Sequence, residues 1–330
     1  MRMKSAKPSD SAVCGVIYAQ RMQQNSEGTA RVATATFADR LADAVDRKRS
    51  QLLVGLDPRP ELLPVELRGE TYSSREAAAA ACARFCRGLI DAVAPYVVGV
   101  KVQLAFFEVL GADGMQAFED VCDYARSANL LVLADGKRGD IGSTARAYAD
   151  AYLEEREDAR PPVDALTVNP YLGSDSIEPL VAACRRSGAG LFCVVKTSNA
   201  GSADIQDLSM SDGRPLWQHV ALLVREWGDD VLGDGGLSSV GAVIGATYPR
   251  AVGEARKLMP QAILLLPGIG AQGATPADVA RAFTSGPASA LVPVSRAVIY
   301  AFRVDGADWR KAAAAEAARL RDEVWAVAGW

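Results

Sequence analysis

Apolar residues recur along this chain in two rhythms. Short unbroken runs rich in β-branched residues fall at Leu52–Leu56, Val97–Lys101, Leu130–Ala134, Ala165–Val168, Leu191–Val195, Val240–Ile244, Ile263–Leu266 and Ala290–Val294. Such runs predict strands buried on both faces. Between them the spacing changes to i, i+3, i+4. It predicts helices over Arg75–Val93, Gln116–Ser127, Thr144–Leu153, Ile177–Arg186, Trp217–Trp227, Arg250–Leu258 and Pro276–Phe283. An amphipathic helix over Phe37–Arg47 precedes the first strand, and Trp309–Val327 forms the last helix. Eight strands alternating with helices predict an α/β fold, a closed (β/α)8 TIM barrel. An open doubly wound sheet is the alternative, but no Gly-x-Gly-x-x-Gly follows the first strand. No linker splits the repeat. The expected organisation is one barrel domain, residues 36–330, behind a polar, aperiodic extension, residues 1–35.

Polar residues gather just past the strand ends: Asp57, Lys101, Asp135, Lys137, Asp140, Asn169, Lys196 to Asn199, and Arg296. In a barrel these ends share one face, where active sites sit. The third end is the most informative. Leu131-Val132-Leu133-Ala134-Asp135-Gly136-Lys137-Arg138-Gly139-Asp140-Ile141-Gly142-Ser143-Thr144 runs from a buried strand into charge and then a helix start. Strand alternation turns Asp135 and Lys137 to the same side. Unpaired buried charge is costly, so the two pair with each other or with a ligand. A minus-plus-minus series suits placing charge and moving a proton. The plainer alternative is a surface ion pair, with Asp140 or Ser143 capping the helix.

A second motif follows the seventh strand: Leu266-Pro267-Gly268-Ile269-Gly270-Ala271-Gln272-Gly273-Ala274-Thr275-Pro276. Thr275 is a good N-cap and Pro276 a good first helical residue. Glycines that let backbone N–H groups turn inward, ahead of a helix N-terminus, suit an anion. Phosphate sites in barrels commonly lie after strands seven and eight, and Arg296 follows the eighth. The alternative is a flexible turn and a surface arginine.

Composition narrows the chemistry. Of 330 residues, 49% are hydrophobic and 23% charged, as in an ordinary globular protein. A net charge of −4 gives no footprint for nucleic acid or a membrane surface. No apolar run is long enough for a membrane helix. The run from Ala12 to Ala19 is short and lacks a cleavage region, so no signal peptide is expected. The scattered cysteines read as reduced thiols of a cytoplasmic protein; Cys82 and Cys86 share a helix face but lack further ligands nearby. The single histidine, His219, falls on an apparent apolar helix face and is expected to pack. That removes triads, zinc sites and histidine general bases. Catalysis is left to Lys, Asp, Arg and neutral polar groups.

Together these segments resemble orotidine 5′-phosphate decarboxylases, most closely their longer bacterial branch. The resemblance runs from roughly Phe37 to Gly306. It rests on Gly55-Leu56-Asp57-Pro58, Val100-Lys101-Val102-Gln103 with Phe106-Phe107-Glu108, Asp135-Gly136-Lys137-Arg138-Gly139-Asp140-Ile141, Lys196-Thr197-Ser198-Asn199, Pro267 to Gly273, and Ser295-Arg296. Asp-x-Lys-x-x-Asp alone is shared with other phosphate-binding barrels; the ordered set is specific. Gly136 stands where the branch usually has Ala, and Ala200 where it often has Pro. Neither supplies a reacting group.

The resemblance implies decarboxylation of orotidine 5′-monophosphate to uridine 5′-monophosphate and CO2, the last step of de novo UMP synthesis, without cofactor or metal. It implies a cytoplasmic homodimer with shared active sites. Lys101, Asp135, Lys137 and Asp140 form the implied catalytic set, with Lys137 protonating pyrimidine C6 and Asp135 facing the substrate carboxylate. Asp57 and Lys101 bind ribose hydroxyls, and Ser198 recognises the pyrimidine. Gln272 and Arg296 hold the phosphate, joined by Gly268 and Gly270 of the glycine loop. Asp140 and Thr144 reach into the neighbouring subunit's site, and Ile141 is among the implied substrate-binding residues. The candidate lids are the segments Ser198–Pro215 and Gly268–Gly273. Rival readings are a Mg2+-dependent sugar-phosphate synthase or aldolase of the same superfamily, an inactive nucleotide-binding protein, and a Schiff-base aldolase using Lys196 or Lys101. The magnesium family has an acidic ligand where Lys101 stands, and a cation there would repel Mg2+.

Overall fold

Strands apolar on both faces cannot leave a sheet face in water, and this chain satisfies them by closing the sheet. The computed structural model describes residues 35–154, 161–270, 272–305 and 308–330. The strands are β1 (Leu52–Leu56), β2 (Gly99–Gln103), β3 (Leu131–Arg138), β4 (Ala165–Val168), β5 (Gly190–Lys196), β6 (Ser238–Ile244), β7 (Ala262–Leu265) and β8 (Ala290–Val294). They form a closed barrel in sequence order, all parallel, with β8 returning to β1 at Val54↔Val294. The longer helices are α1 (Phe37–Lys48), α2 (Arg75–Val93), α3 (Gly111–Ser127), α4 (Gly142–Tyr152), α5 (Ser174–Ser187), α6 (Leu216–Gly228), α7 (Pro249–Leu258) and α8 (Trp309–Ala328). The expected extension, residues 1–35, lies outside the described residues except for Ala35.

The core has two compartments. The outer one lies between sheet and helices and takes the residues whose side chains leave the barrel, such as Val100, Val102, Val132 and Leu166. The inner one takes the opposite parity: Leu53, Leu133, Ala165, Phe192, Ile263, Leu265 and Leu291. Helix α1 plugs this inner column from the N-terminal end with Phe37, Leu41 and Val45. Thr36 caps α1 by accepting from Asp39 N–H at 3.1 Å, and Arg49, in the left-handed region, ends it. The Phe37 ring meets Phe192 edge-on, 5.8 Å between centroids. A Cβ at Gly241 would lie 2.8 Å from the Phe192 ring, so only glycine leaves room for it. With one end stoppered by apolar side chains, polar groups are tolerated only at the other.

Buried Arg256 of α7 ties the helix layer to β7 and β8, donating to the carbonyls of Met259, Pro260, Ala262, Ala282 and Ser289. Burial pulls its guanidinium down to about 10.

Several expectations are corrected. Strand β3 does not stop at Ala134; it continues to Arg138, with a register shift against β4 between Ala134 and Arg138. Simple alternation is therefore broken there, and Lys137 adopts φ +47°. The expected α-helix over Pro276–Phe283 is a 310 helix over Pro276–Ser285. Helix α4 starts at Gly142 without a side-chain cap, and the Asp140 carboxylate accepts instead from Ile141 N–H at 2.8 Å. His219 is not packed. The buried stripe of α6 is Trp217, Ala221, Val224 and Gly228. His219 lies off that stripe, half-buried, 3.0 Å from Asp212.

Candidate active site

The open end of the barrel holds a cavity of about 350 Å3. Its floor and walls continue the inner-facing parity of the strands. Leu53 leads to Asp57 just past β1, Leu133 to Asp135 on β3, Ala165 to Thr167 on β4, and Leu291 to Pro293 on β8 and Ser295 just past it. Strand β2 contributes Lys101 and Gln103. The loops after β5, β7 and β8 add Ser198, Asn199, Gly268, Gln272 and Arg296.

Asp135 is the hub. Its Oδ1 accepts from Lys137 Nζ at 2.6 Å and from Thr167 Oγ1 at 2.9 Å. Its Oδ2 accepts from Lys101 Nζ at 2.9 Å and Gln103 Nε2 at 3.0 Å. Four donors fill the roughly four lone-pair directions of a carboxylate. Burial alone would raise the Asp135 carboxyl. The Lys101 and Lys137 charges and their hydrogen bonds overcome this and hold it well below the ordinary carboxylate range. Burial likewise pulls Lys101 down, but Asp135 and Asp57 together push it above its ordinary value. Asp135 and Lys101 are therefore ionised at neutral pH, part of a fixed lattice whose polar groups are already oriented.

Asp57 sits beside the lattice. Its Oδ1 is 3.9 Å from Lys101 Nζ and has no hydrogen-bond partner, while Ser295 Oγ donates to Oδ2. A Cβ at Gly55 would lie 2.6 Å from Ser295 Oγ, so the glycine admits that hydroxyl. Across the cavity Ser198 Oγ donates to Gln272 Oε1 at 2.7 Å, joining the loops after β5 and β7. Gly245 has no side chain to press on Ser198, whose backbone N lies 3.0 Å from the site of its missing Cβ. Arg296 is exposed at the rim, as part of the cavity lining. The lining carries the cations Lys101, Lys137 and Arg296 against the carboxylates Asp57 and Asp135. That balance favours an anionic ligand.

Of the residues singled out from sequence, Asp57, Lys101, Asp135, Lys137, Ser198, Gly268, Gln272 and Arg296 line this one cavity. Asp140, Ile141, Thr144 and Gly270 do not. The Gly270 N–H is taken by Ala274 O at 3.0 Å. Asn169 is also elsewhere, accepting from Tyr171 N–H at 3.1 Å. Lys196 is turned away by the register shift between Val194 and Lys196. It is buried in a separate pocket, held by Asp207 at 2.7 Å. An imine-forming role there would require breaking that ion pair. Sequence reasoning assigned no role to Gln103, Thr167 or Ser295, although strand parity places all three among the inward residues. Among the described residues no cluster of His, Cys, Asp and Glu is arranged to hold a metal ion.

Known proteins are similar to this chain in sequence and fold. The family model for orotidine 5′-phosphate decarboxylase / HUMPS matches residues 50–311. An orotidine 5′-phosphate decarboxylase of Rhodopirellula baltica is 47% identical over 299 residues, 88% of this chain and 99% of the relative. One from Deinococcus radiodurans is 44% identical over 294 residues, 88% of this chain and 97% of the relative. The solved structure of Leishmania donovani OMP decarboxylase superposes with a TM-score of 0.69 at 31% identity, covering 88% of this chain and 98% of that one. The chain belongs to the orotidine 5′-phosphate decarboxylase family.

Proposed function

We propose that this chain decarboxylates orotidine 5′-monophosphate to uridine 5′-monophosphate, in pyrimidine biosynthesis, with Lys137 as proton donor. The observation that carries the residue assignment is Asp135 bridging two ammonium groups, at 2.6 and 2.9 Å, on the floor of a net-cationic cavity. The C6–carboxylate bond breaks and CO2 leaves; the electron pair stays on C6 and takes a proton from the Lys137 ammonium. The resulting amine is reprotonated from water. Developing charge on C6 meets a lattice that needs little reorganisation. The substrate carboxylate next to Asp135 is a like-charge contact that relaxes as CO2 departs.

Asp57 and Lys101 hold the ribose hydroxyls, Ser198 the pyrimidine, and Gln272, Arg296 and the backbone at Gly268 the phosphate. Binding energy from the phosphate end draws the loops after β5 and β7 together, already linked by Ser198 and Gln272. Asp135 offers no free lone pair to a divalent cation, which weighs against the magnesium-dependent reading. The working unit is a homodimer. Consecutive loops after β2, β3 and β4 expose Val109, Ile141, Tyr171 and Leu172, each at least half exposed, and Asp140 and Thr144 flank Ile141. These residues would complete the partner's cavity rather than their own. A reducing, cytoplasmic setting suits the free buried thiols of Cys82, Cys86, Cys122, Cys184 and Cys193. Among the described residues no helix is long and apolar enough to cross a membrane.

The test is turnover of orotidine 5′-monophosphate in excess EDTA. Undiminished release of uridine 5′-monophosphate is expected. Activity that disappears with EDTA and returns with Mg2+ would overturn the cofactor-free mechanism.

A further inference from the structure

Thr167 has no part in the mechanism above, yet its hydroxyl touches both groups at the centre of it. Its Oγ1 donates to Asp135 Oδ1 at 2.9 Å and accepts from the Lys137 backbone N–H at 3.0 Å. The residue is 1% exposed and faces inward from β4. Lys137 stands in the left-handed region at φ +47°, which disfavours any residue with a Cβ. It does so where β3 slips against β4, and its N–H bonds a side chain in place of a ladder carbonyl. A β-branched side chain on a strand has a restricted χ1, so the Thr167 hydroxyl is itself held in direction.

We propose that Thr167 is a positioning residue for the decarboxylation. One hydroxyl pins the unfavourable backbone at Lys137 and orients the Asp135 oxygen that receives the Lys137 ammonium. The proton donor is thereby aimed from two ends, through its main chain and through its counter-ion. This inference rests on the assignment of Lys137 and Asp135 made above. It does not extend to binding, because the residues assigned to phosphate and pyrimidine lie on other strands and loops.

The experiment compares Thr167→Val, Thr167→Ser and Lys137→Ala in the full chain. Thr167→Val keeps the volume and leaves two partners each one bond short. We expect kcat to fall about 10- to 100-fold, the effect of a lost hydrogen bond to a charged group. KM, and the affinity for uridine 5′-monophosphate, should move less than about 3-fold, since the bond matters mainly to the reacting geometry. In D2O, exchange of the product's C6 proton should slow in parallel with kcat, because it uses the same donor in reverse. Thr167→Ser should restore kcat to within about 5-fold of wild type. Should the valine variant not fold, Thr167→Ala against Thr167→Ser isolates the hydroxyl equally well. A valine variant with unchanged kcat and exchange, beside an inactive Lys137→Ala, overturns the positioning role alone. A serine variant as impaired as the valine one also overturns it, since packing and not the hydroxyl is then what matters. An active Lys137→Ala overturns the assignment beneath it.

Discussion

Replacing Lys101 by methionine removes an ammonium while keeping most of the side chain's volume. The lysine is 8% exposed, 2.9 Å from Asp135 Oδ2 and 3.9 Å from Asp57 Oδ1. At an effective dielectric of about 20 these contacts are worth about 6 and about 4 kcal/mol of gross attraction. Several kcal/mol for withdrawing the ammonium from water stand against them. After Lys101→Met, Asp135 keeps Lys137, Gln103 and Thr167, but Asp57 keeps only the Ser295 hydroxyl on its carboxylate. The expected loss is about 3–5 kcal/mol, as for a buried charge deprived of its partner. Urea unfolding at pH 7 and fixed protein concentration measures it. Adding Asp135→Leu removes the carboxylate that has lost its close contact to Lys101, while Lys137, half exposed, loses little. The double variant should show a coupling of at least about 1.5 kcal/mol relative to the two single ones. A single variant costing under about 1 kcal/mol, or strictly additive costs, would refute the picture of a desolvated, mutually dependent lattice.

Three further outcomes are expected. Asp140→Asn and Lys137→Ala homodimers should each be nearly inactive, and subunit exchange at equal amounts should return about a quarter of the wild-type sites, since half the dimers are hybrid and each hybrid has one intact site; a mixture that stays dead despite proven exchange would put Asp140 in its own subunit's site. Arg296→Ala should lower kcat/KM for orotidine 5′-monophosphate by about 100-fold or more yet leave the nucleoside lacking phosphate equally poor for both proteins; equal harm to both substrates would move Arg296 out of the phosphate site. The lattice should stabilise the fold evenly between about pH 5 and 9. Asp135 titrates lower in the folded state than unfolded, so its contribution is complete above the ordinary carboxylate value and is lost on acidification below about pH 4. Lys101 titrates higher when folded, so its contribution is complete below the ordinary lysine value and is lost as pH rises past about 10. Urea midpoints of wild type against the Lys101→Met/Asp135→Leu protein should differ by a constant amount inside that window; a steady slope across it would refute the assigned directions.

The barrel was legible because burial on both faces leaves a strand no polar position to blur its pattern. β1, β4 and β8 begin and end where the apolar runs do. The charged ends were legible too, since charge directly after a buried run has few explanations. What could not be read were departures from regular backbone. Two register shifts lie beside the cavity: the one in β3 accompanies the positive φ of Lys137, and the one in β5 accompanies Lys196 in a separate pocket. Neither leaves a mark in the hydrophobic pattern. Thr167 lies inside an apolar run and carries no charge, so the clustering of polar residues past strand ends does not mark it. Alternation from Ala165 would have pointed to Thr167. Asp140 stood out in the sequence as the third charge of the series after β3, but the roles given to Ile141 and Thr144 came through family resemblance alone, because neither carries a charge nor lines the cavity of its own chain.

The four donors around Asp135 also restrict how this sequence can drift. Asparagine has the shape of aspartate, but its amide nitrogen would face either Lys137 and Thr167 or Lys101 and Gln103, donor against donor. Exchanging Gln103 for glutamate would instead set acceptor against acceptor. Each position around the carboxylate is thus fixed in polarity by the others, and the usual near-isosteric neighbours are closed to it. Paralogues that leave this chemistry are expected to replace several of these residues together, and their intermediates to be the least stable members of the lineage.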